Sequence, residues 1–298
     1  MPILLTGSSG LIGQSLLTFL TSKGHNVVCL TRSKTPARDR QISWDPGTGI
    51  IDENGLENFD AIVHLAGESI VGRWTPGKKA RILESRVKGT RLLCASLAHL
   101  RTPPRVLIAA SAIGYYGDGG DRVIDEGSSA GTLFLSEVAK AWEAATEPAA
   151  HQGIRVVNLR IGFVLSKAGG GLAAMLLPFK LGLGGQVGSG RQYLSWIAID
   201  DVVGAISHAI LTDSLHGPVN AVAPHQVTNR EFTKTLGRVL RRPTIFPLPA
   251  FAARMVMGEM ADELLLASAR VKPTRLLESG YEFRFPELEG ALRHVLGK

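Results

Sequence analysis

The stretch LTGSSGLIG, at residues 5–13, constrains the fold of this chain more than any other segment. An apolar, strand-like run leads into it, a segment of helical period follows it, and Gly7, Gly10 and Gly13 are spaced three apart. Glycine is needed where a side chain would block a sharp turn, the approach of a pyrophosphate or the packing of a helix on a strand. The free N–H groups at the start of the helix would face that anion. The pattern therefore predicts a dinucleotide-binding loop, whose remaining contacts fall on Ser9, Leu11 and Ile12.

Apolar runs of strand length alternate with longer segments of helical period over the first half of the chain. This order predicts right-handed crossovers and a parallel sheet. The runs are almost wholly apolar, as expected when helices cover both faces of a sheet: ILLTG, NVVCLTR, DAIVHLAG, RVLIAAS and IRVVNLRIG. Helices are predicted over 11–23, 76–100 and 133–150, and the segment around Trp44 and Pro46 is expected to be a loop. The fold class is therefore α/β, a Rossmann-type doubly wound parallel sheet.

The composition of the sequence changes after Gly162, where glycines become frequent. A glycine-rich stretch predicts loops around a short helix at 172–181, and SWIAIDDVVGAISHAIL predicts a strand and a helix capped by Asp200 or Asp201. A short strand near PVNAV, a helix from about Thr228 and a mostly helical tail follow. We expect two units: a Rossmann domain of residues 1–165 with 200–222, and a smaller, mostly helical C-terminal lobe on the substrate side, of residues 166–199 with 223–298.

Composition bounds the class of protein. With 298 residues and 45% apolar side chains, the chain can bury the core of one large domain, with or without an appendage. No segment approaches the roughly 20 uninterrupted apolar residues of a membrane span, and MPILLTG enters a strand without a basic lead or a cleavage site. We expect a cytoplasmic protein with no membrane partner, or an organellar one whose transit peptide is absent.

The net positive charge and the positions of the Cys and His residues limit which ligands are expected. A net charge of +7 allows an anionic partner, but aromatics make up only 6% and no basic tail occurs, so we expect an anionic cofactor or substrate and no nucleic acid. No metal is expected. Cys29 and Cys94 are interpreted as buried apolar residues, and His64 has no second ligand at a suitable spacing.

The end of the second predicted strand indicates which dinucleotide would bind. About 20 residues after the loop, an NAD site places an Asp or Glu on the ribose 2′-OH. This chain instead reads Thr31-Arg32-Ser33, followed by Lys34, Arg38 and Arg40. A guanidinium and a hydroxyl suit a 2′-phosphate, so the predicted cofactor is NADP (NADPH). The alternative is that Arg32 is a solvated strand end.

The third predicted strand ends in HLAGE, where Leu65, Ala66, Gly67 and Glu68 would lie along the adenosine half of the cofactor. Seven basic residues and one acid then occur between 73 and 91. Most are expected to solvate a helix face, and Arg86 is the candidate that faces the cofactor.

Longer motifs carry a family resemblance over essentially the whole chain. These motifs are TGSSGLIG, LAGE, GRWTPGKKARILESRVKGTRLL, SAIGYYGD, RIGFVLS, LPFKLGLGGQVGSGRQYLSWIAIDD and the tail PLPAFAARMVMGEMADELLLASARVKPTRLLESGYEF. Together they resemble the atypical short-chain dehydrogenase/reductase family of proteins similar to NAD-dependent epimerases and dehydratases. Members are often called epimerase family protein or cell division inhibitor, and have a C-terminal domain of unknown function.

The resemblance implies a Rossmann fold, NADP binding and a smaller lobe that closes over the nicotinamide end. It also implies cofactor contacts at the glycine loop, at Thr31 and Arg32, at Leu65 and Ala66, at Arg86 and near Val164.

The motifs depart from that family at the catalytic positions. Active short-chain dehydrogenases and epimerases use a Ser or Thr with a Tyr-x-x-x-Lys pair, in which the lysine eases proton transfer by the tyrosine. Here the corresponding helix reads GTLFLSEVAKAWE, which places either Ser136 and Lys140 or Leu135 and Ala139 at the pair. The usual serine position holds Ala112, with Ser111 one residue early.

Other polar residues remain as candidates. Ser111, Tyr115 and Tyr116 are the catalytic candidates, the alternative being that the tyrosines pack under the cofactor and the second lobe. Arg160, and Ser111 as well, are candidates for cofactor contact, with a structural role for Arg160 left open. Lys140 and Glu143 are expected to form a surface pair. Arg191 and Gln192 are the candidate substrate contacts, and Trp196 is expected to pack.

Two functions are compatible with these features. The first is an NADP(H)-binding, epimerase-like oxidoreductase with an altered site and an unidentified small-molecule substrate. The second is a catalytically degenerate scaffold or redox sensor that acts through a protein partner. The cofactor motifs and the glycine-rich loop favour the first, the missing Tyr and Lys favour the second, and the oligomeric state is left open.

Overall fold

The structure is a computed structural model that describes residues 1–32 and 41–298. Over that part of the chain, eight strands form one sheet and further short strands pair outside it. The strands in chain order are β1 (Pro2–Thr6), β2 (Asn26–Thr31), β3 (Gln41–Asp45), β4 (Ile50–Ile51), β5 (Ala61–His64), β6 (Val106–Ala112), β7 (Val123–Ile124), β8 (Arg155–Ile161), β9 (Phe163–Leu165), β10 (Tyr193–Leu194), β11 (Trp196–Ala198), β12 (Gly217–Ala221), β13 (Val227–Thr228) and β14 (Arg270–Val271).

Eleven α-helices lie among these strands in the described chain, and none of them is long and apolar enough to cross a membrane. They are α1 (Leu11–Ser22), α2 (Pro76–Leu97), α3 (Phe134–Ala144), α4 (Glu147–His151), α5 (Gly170–Lys180), α6 (Ile199–Leu211), α7 (Asn229–Leu240), α8 (Ala250–Met257), α9 (Glu259–Ala261), α10 (Thr274–Glu278) and α11 (Leu288–Leu296). A π-helical turn, Asp262–Leu266, continues α9.

The strand order of the large sheet is β12-β8-β6-β5-β1-β2-β3-β4. All neighbouring strands run parallel except β4, which is antiparallel to β3. From β1 the chain adds β2 and β3 on one side and then crosses to β5 on the other. The carboxyl ends of β1 and β5 therefore border the crevice in which ligands bind in sheets of this kind. The prediction of a Rossmann-type doubly wound sheet is confirmed.

Successive residues of β1 supply cores on opposite faces of the sheet, as the strand period requires. Ile3 belongs to the core under α1 and α6, whereas Leu4 belongs to the core under α2 and α4. A third core, which includes Trp196 and Phe232, lies among α5, α7 and α11. This separate core supports the proposed C-terminal lobe, whose boundaries stay a prediction.

Trp44 lies in strand β3, so the expectation of a loop is wrong at that residue, whereas residues 46–49 form a turn that joins β3 to β4. Trp44 is buried, packs on Gly89 of α2, and lies edge-on to the His64 ring with centroids 6.0 Å apart. In QISWD only Ile42 and Trp44 alternate toward the core, and so short a period-two pattern is hard to recognise among polar neighbours.

The single helix predicted over 133–150 is two helices, α3 and α4. The break lies at Thr146, whose hydroxyl donates to the Glu143 carbonyl at 2.7 Å. Pro148 follows within the first turn of α4, where its missing N–H costs nothing. The sequence therefore contained the signal for this boundary.

Neither aspartate of the DD pair caps α6, whose N-cap is Ala198 and has no side-chain cap bond. Asp201 is buried instead, and accepts the backbone N–H groups of Arg284 at 2.8 Å and Phe285 at 3.0 Å. Burial raises the pKa of the Asp201 carboxyl above its usual range. The carboxylate thus anchors the C-terminal tail to α6, so the prediction of capping is corrected to one of long-range anchoring.

Candidate functional site

The glycine loop lies directly against the end of β5. Gly7 has φ of +69°, and a Cβ at this position would lie 2.7 Å from the carbonyl carbon of Leu65. A Cβ at Gly13 would collide with the Gly7 carbonyl oxygen, and one at Gly10 would lie 3.3 Å from the same oxygen. Helix α1 then begins at Leu11 with no side-chain cap. The loop is therefore a close-packed backbone surface whose helix N–H groups are left for an anion.

The rest of the loop and the strand β9 lie on the same side of α1. Ser9 is exposed, and its carbonyl accepts the Gln14 amide at 3.1 Å. Ile12 and Val164 are partly buried residues that pack on the core under α1. A Cβ at Gly170 would lie 3.3 Å from the side chain of Leu11. The glycine-rich segment after β9 thus contacts the start of α1, so Val164 lies near the loop.

The end of β2 lies beside the glycine loop. Thr6 pairs with Leu30 across β1 and β2, so Thr31 is level with Gly7, and Arg32 follows with its side chain exposed. Ser33, Lys34, Arg38 and Arg40, which the sequence analysis placed next, lie outside the described residues.

A cluster of charges surrounds Glu68, just past β5. Its carboxylate accepts the Lys78 ammonium at 2.9 Å and lies 3.9 Å from Arg81 Nε. The hydrogen bond from Lys78 is the main cause that holds the pKa of Glu68 below its usual range, and the charge of Arg32 contributes to the same shift. Several cations therefore converge on the segment that follows β5.

Arg86 of α2 is fixed against that same segment. Its Nη1 donates to the carbonyls of Glu68 and Ile82, both at 3.0 Å, and its guanidinium lies 4.9 Å from the Trp142 ring. Burial lowers the pKa of Arg86 to about 10, which leaves it charged at neutral pH. A Cβ at Gly67 would lie 3.4 Å from the Arg86 guanidinium carbon. The cofactor residues predicted on β1, β2, β5 and α2 are thus brought together at one edge of the sheet.

A buried polar chain under the crevice fixes this arrangement. The Thr6 hydroxyl accepts the backbone N–H groups of Leu65 at 3.1 Å and Ala66 at 3.2 Å, and it lies 2.8 Å from His64 Nδ1. On the other side of the ring, His64 Nε2 lies 3.0 Å from the Thr90 hydroxyl. The chain joins β1, β5 and α2 directly below the meeting point of the glycine loop and β5.

The hydrogen-bond pattern determines the state of the His64 ring. Thr6 already accepts two N–H groups, so its own proton must go to Nδ1, and Nε2 carries the ring hydrogen that is donated to Thr90. The ring is fully buried, and burial lowers the pKa of His64 to about 4. His64 is therefore a neutral structural residue under the site, and not a ligand.

A second polar network lies at the carboxyl ends of β6 and β8. Ser111 and Arg160 are paired across these strands. Glu143 of α3 accepts Arg160 Nε and Nη2, both at 2.8 Å, and its Oε1 also accepts the Ser111 hydroxyl at 2.6 Å. The Arg160 side chain is 3% exposed and that of Glu143 is 13% exposed. Glu143 and Arg160 therefore form a buried, bidentate ion pair, and the Ser111 hydroxyl is hydrogen-bonded to its carboxylate.

Glu143 lies at this edge of the sheet in a role that its sequence pattern was not taken to indicate. Lys140 pairs with Glu137 at 2.6 Å on the exposed face of α3, so the predicted Lys140–Glu143 surface pair is wrong. Glu143 follows the apolar face of Val138, Ala139 and Trp142, and Arg160 is a cation near the end of the mostly apolar strand β8. An acid on an apolar helix face together with a cation in an apolar strand was a usable signal for a buried pair.

The two tyrosines after β6 have different environments. The Tyr116 hydroxyl donates to Asn220 Oδ1 at 2.8 Å and accepts Arg160 Nη1 at 2.9 Å, and burial raises its pKa to about 12. Tyr115 is half-buried, with its ring centroid 3.5 Å from the Arg160 guanidinium carbon. Within the described ranges no hydrogen-bond partner occupies the Tyr115 hydroxyl, which leaves it available to a ligand.

The helix position of the usual Tyr-x-x-x-Lys pair is used for packing. The Ser136 hydroxyl donates to the Gly114 carbonyl at 2.9 Å, and the Leu135 side chain packs on Gly114. Lys140 lies on the exposed face, as its pairing with Glu137 requires. Under either alignment, α3 presents no phenol to the sheet edge.

The candidate substrate contacts lie on the loop between α5 and β10. The Arg191 side chain is exposed, and within the described part of the chain it forms no ion pair. Gln192 Nε2 donates to the carbonyls of Val187 at 3.0 Å and Leu265 at 2.8 Å, which ties this loop to the π-helical turn. The amide nitrogen of Gln192 is thus engaged in structure, whereas Arg191 faces solvent. Trp196 is fully buried, in agreement with its expected packing role.

Two family models match this chain. Residues 3–222 match the NAD dependent epimerase/dehydratase family, and residues 248–295 match a domain of unknown function, DUF1731.

Three relatives show how far the similarity extends. Epimerase family protein Mb2239 of Mycobacterium bovis is 44% identical over 294 residues, which cover 98% of this chain and 97% of that protein. Epimerase family protein YfhF of Bacillus subtilis is 36% identical over 299 residues, covering 99% and 98% respectively. The crystal structure of human epimerase family protein SDR39U1 (isoform 2) with NADPH superposes with a TM-score of 0.91 at 36% identity, over 100% of both chains.

We predict that His64 makes folding stability depend on pH. Because its pKa is lowered from 6.5 to about 4 in the folded protein, protonation favours unfolding. The stabilisation is complete above pH 6.5 and should be lost as the pH falls, by about 3 kcal/mol at pH 4. Urea unfolding at pH 7 and 4.5 should show a smaller difference for His64→Gln than for the wild type. His99→Gln, at an exposed position, is the control, and equal pH dependence in all three proteins would contradict the prediction.

We predict that Arg160→Met destabilises the protein by about 3–5 kcal/mol, because Glu143 is left buried without its cation. The double variant Arg160→Met/Glu143→Leu should be less destabilised than Arg160→Met alone. Lys140→Met is the control, since it breaks an exposed pair worth at most about 1 kcal/mol. Free energies of unfolding in urea measure all three, and equal losses for Arg160→Met and Lys140→Met would refute the buried pair.

Proposed function

Because the chain belongs to the NAD dependent epimerase/dehydratase family, we propose that it is an NADP(H)-binding, epimerase-like oxidoreductase of the short-chain dehydrogenase/reductase superfamily. Its substrate would be an unidentified small molecule. The observation that carries this proposal is the crevice at the carboxyl ends of β1 and β5, where the bare backbone of the glycine loop meets a rim of cations. The NADPH bound by the human relative supports the same assignment.

The residues of the crevice fit a phosphorylated dinucleotide. The N–H groups at the start of α1 would hold the pyrophosphate, to which Gly7 and Gly13 allow close approach. Arg32 would hold the 2′-phosphate, since it is exposed beside the loop and no acid replaces it there. Leu65, Ala66 and Gly67 would lie along the adenosine half, with Arg86 behind them. A nicotinamide dinucleotide, when bound, supplies the capacity to give or take a hydride.

Tyr115 is the proposed proton donor or acceptor for the substrate. Its hydroxyl is free among the described residues, and the contact of the Arg160 guanidinium with its ring face holds the phenol at this edge of the sheet. Tyr116 is not suited to this role because Asn220 and Arg160 occupy its hydroxyl. Ser111 would contribute by holding the Glu143 carboxylate, to which its hydroxyl donates a hydrogen bond. Arg191 would contact an anionic group of the substrate from the C-terminal lobe.

One observation favours a second function. Helix α3 presents Ser136 and Leu135, and no tyrosine, at the position where related enzymes carry their phenol. A protein that retains the cofactor crevice without this group could serve as a scaffold or redox sensor for a protein partner. Turnover that depends on Tyr115 distinguishes the two, because a scaffold would bind NADPH without any such turnover.

We expect Arg32→Asp to weaken NADPH binding roughly ten- to hundredfold, the worth of a charge-assisted contact to phosphate, and to change NADH binding far less. Titrations of cofactor fluorescence measure both constants. Arg105→Asp, an exposed cation before β6 at the opposite edge of the sheet, is the control and should leave both unchanged. Equal losses of NADPH and NADH would refute the assignment of the 2′-phosphate.

We expect Tyr115→Phe to abolish the NADPH turnover found in a screen of small carbonyl and sugar substrates, because the proton donor is removed, while NADPH binding stays within about twofold of the wild type. Tyr116→Phe is the matched variant and should retain turnover. Consumption of NADPH at 340 nm measures the rate. Unchanged turnover in Tyr115→Phe would exclude this tyrosine.

A further inference from the structure

Two segments of the C-terminal half touch and form one surface. The backbone N–H of Leu248 donates to the Gln186 carbonyl at 2.8 Å, and that of Gly188 donates to the Leu248 carbonyl at 2.9 Å. A Cβ at Gly185 would collide with the carbonyl of Phe246. Residues 180–188 and 242–248 therefore lie side by side, with α5 leading into the first segment and α8 following the second.

This surface exposes large apolar side chains. Leu177 and Leu181 lie one turn apart at the end of α5, and Phe251 and Met255 lie one turn apart on α8, so each pair shares a helix face. We call the set the C-terminal apolar patch; its main members are Leu177 at 67% exposed, Leu181 at 65%, Ile245 at 70%, Phe246 at 54%, Phe251 at 67% and Met255 at 73%. Single exposed apolar residues need no explanation, but several exposed along two adjoining segments form the kind of apolar patch that marks an interaction site.

Charge distinguishes the patch from the rest of the surface. Residues 177–188 and 241–258 contain no Asp or Glu, and their charged residues are all cations: Lys180, Arg241, Arg242 and Arg254, of which Arg254 is paired with Asp262. An occupant of complementary charge must therefore carry acids around an apolar face.

Two of the arginines are held in place. Arg242 Nε donates to the Lys180 carbonyl at 2.7 Å, and Arg254 Nε donates to Asp262 at 2.8 Å. A fixed guanidinium keeps further N–H groups in a planar fork that matches a carboxylate, and loses little entropy when it binds one.

The chemistry of the patch favours one class of occupant. A second copy of this chain, seated patch to patch, would bring like charges together. A lipid surface is matched by an interfacial belt of Trp and Tyr or by one amphipathic helix that lies flat on it, whereas this patch has neither Trp nor Tyr and is built from a helix end, a loop and a short helix, with anchored Arg. Aromatic residues, Met and Arg are the residues enriched in protein interfaces.

We propose that the C-terminal apolar patch binds a protein segment that presents an apolar face bordered by Asp or Glu. The patch lies outside the cofactor crevice, so this interaction is independent of the proposed reaction. Part of it, α8, falls within residues 248–295, which match the domain of unknown function and not the epimerase model. The proposal thus assigns that domain a docking role.

The test uses a fluorescein-labelled 18-residue helical peptide with Leu on one face and Glu elsewhere, and the full-length protein. Fluorescence anisotropy should show binding that weakens as salt is raised. Phe251→Ser/Met255→Ser should weaken it at least about tenfold, and Lys180→Glu/Arg241→Glu should weaken it as well. Leu211→Ser, 65% exposed at the end of α6, is the matched control and should bind as the wild type does. Thermal unfolding confirms that each variant is folded.

Several outcomes would overturn the proposal. Equal binding of a peptide with scrambled Leu positions, or of one with Lys in place of Glu, would exclude recognition of an acidic apolar face. Failure of the Glu peptide to bind, or full binding to Phe251→Ser/Met255→Ser, would exclude the patch. Binding to phosphatidylglycerol vesicles without peptide binding would assign the patch to lipid, and self-association lost in Phe251→Ser/Met255→Ser would assign it to a second copy.

Discussion

The close approach of the glycine loop to the backbone at the end of β5 is the constraint on which the candidate site depends. No side chain fits at Gly7, because its Cβ would overlap the Leu65 backbone. The Thr6 hydroxyl holds that same backbone by accepting the N–H groups of Leu65 and Ala66. His64 accepts a hydrogen bond from the Thr6 hydroxyl and donates one to Thr90, which links the two strands to α2. The carboxyl ends of β1 and β5 are therefore held together from below by neutral hydrogen bonds.

The second fixed point is the ion pair between Glu143 and Arg160. It stands where α3 meets β8, beside the helix positions at which related enzymes carry tyrosine and lysine. Ser111 and Tyr116, both catalytic candidates from the sequence, form hydrogen bonds with this pair. What remains free at this edge is the Tyr115 hydroxyl. A polar network thus occupies this edge of the sheet, and the phenol that has no hydrogen-bond partner among the described residues lies on the loop after β6 and not on α3.

Much of the fold followed from local patterns. The five apolar runs, the glycine spacing and the three helices predicted between the runs indicated the doubly wound sheet, because these features depend on neighbours in sequence. The β3–β4 pair was missed because only Ile42 and Trp44 mark it. The break between α3 and α4 was missed although Pro148 marked it. The resemblance of the long motifs correctly anticipated the family, and the NADP assignment rests on Thr31 and Arg32 and on the NADPH of a relative.

By itself, the sequence determined the order of the strands and helices, the glycine loop and the absence of a Tyr-x-x-x-Lys pair from α3. Only the tertiary structure decided which polar residues are engaged with each other. Glu143 and Arg160 are 17 positions apart, and Asp201 is more than 80 positions from the backbone that it anchors. A buried charge must find its partner wherever packing brings one within hydrogen-bond distance. That distance is set by how the helices lie on the sheet, and no local pattern of residues records it.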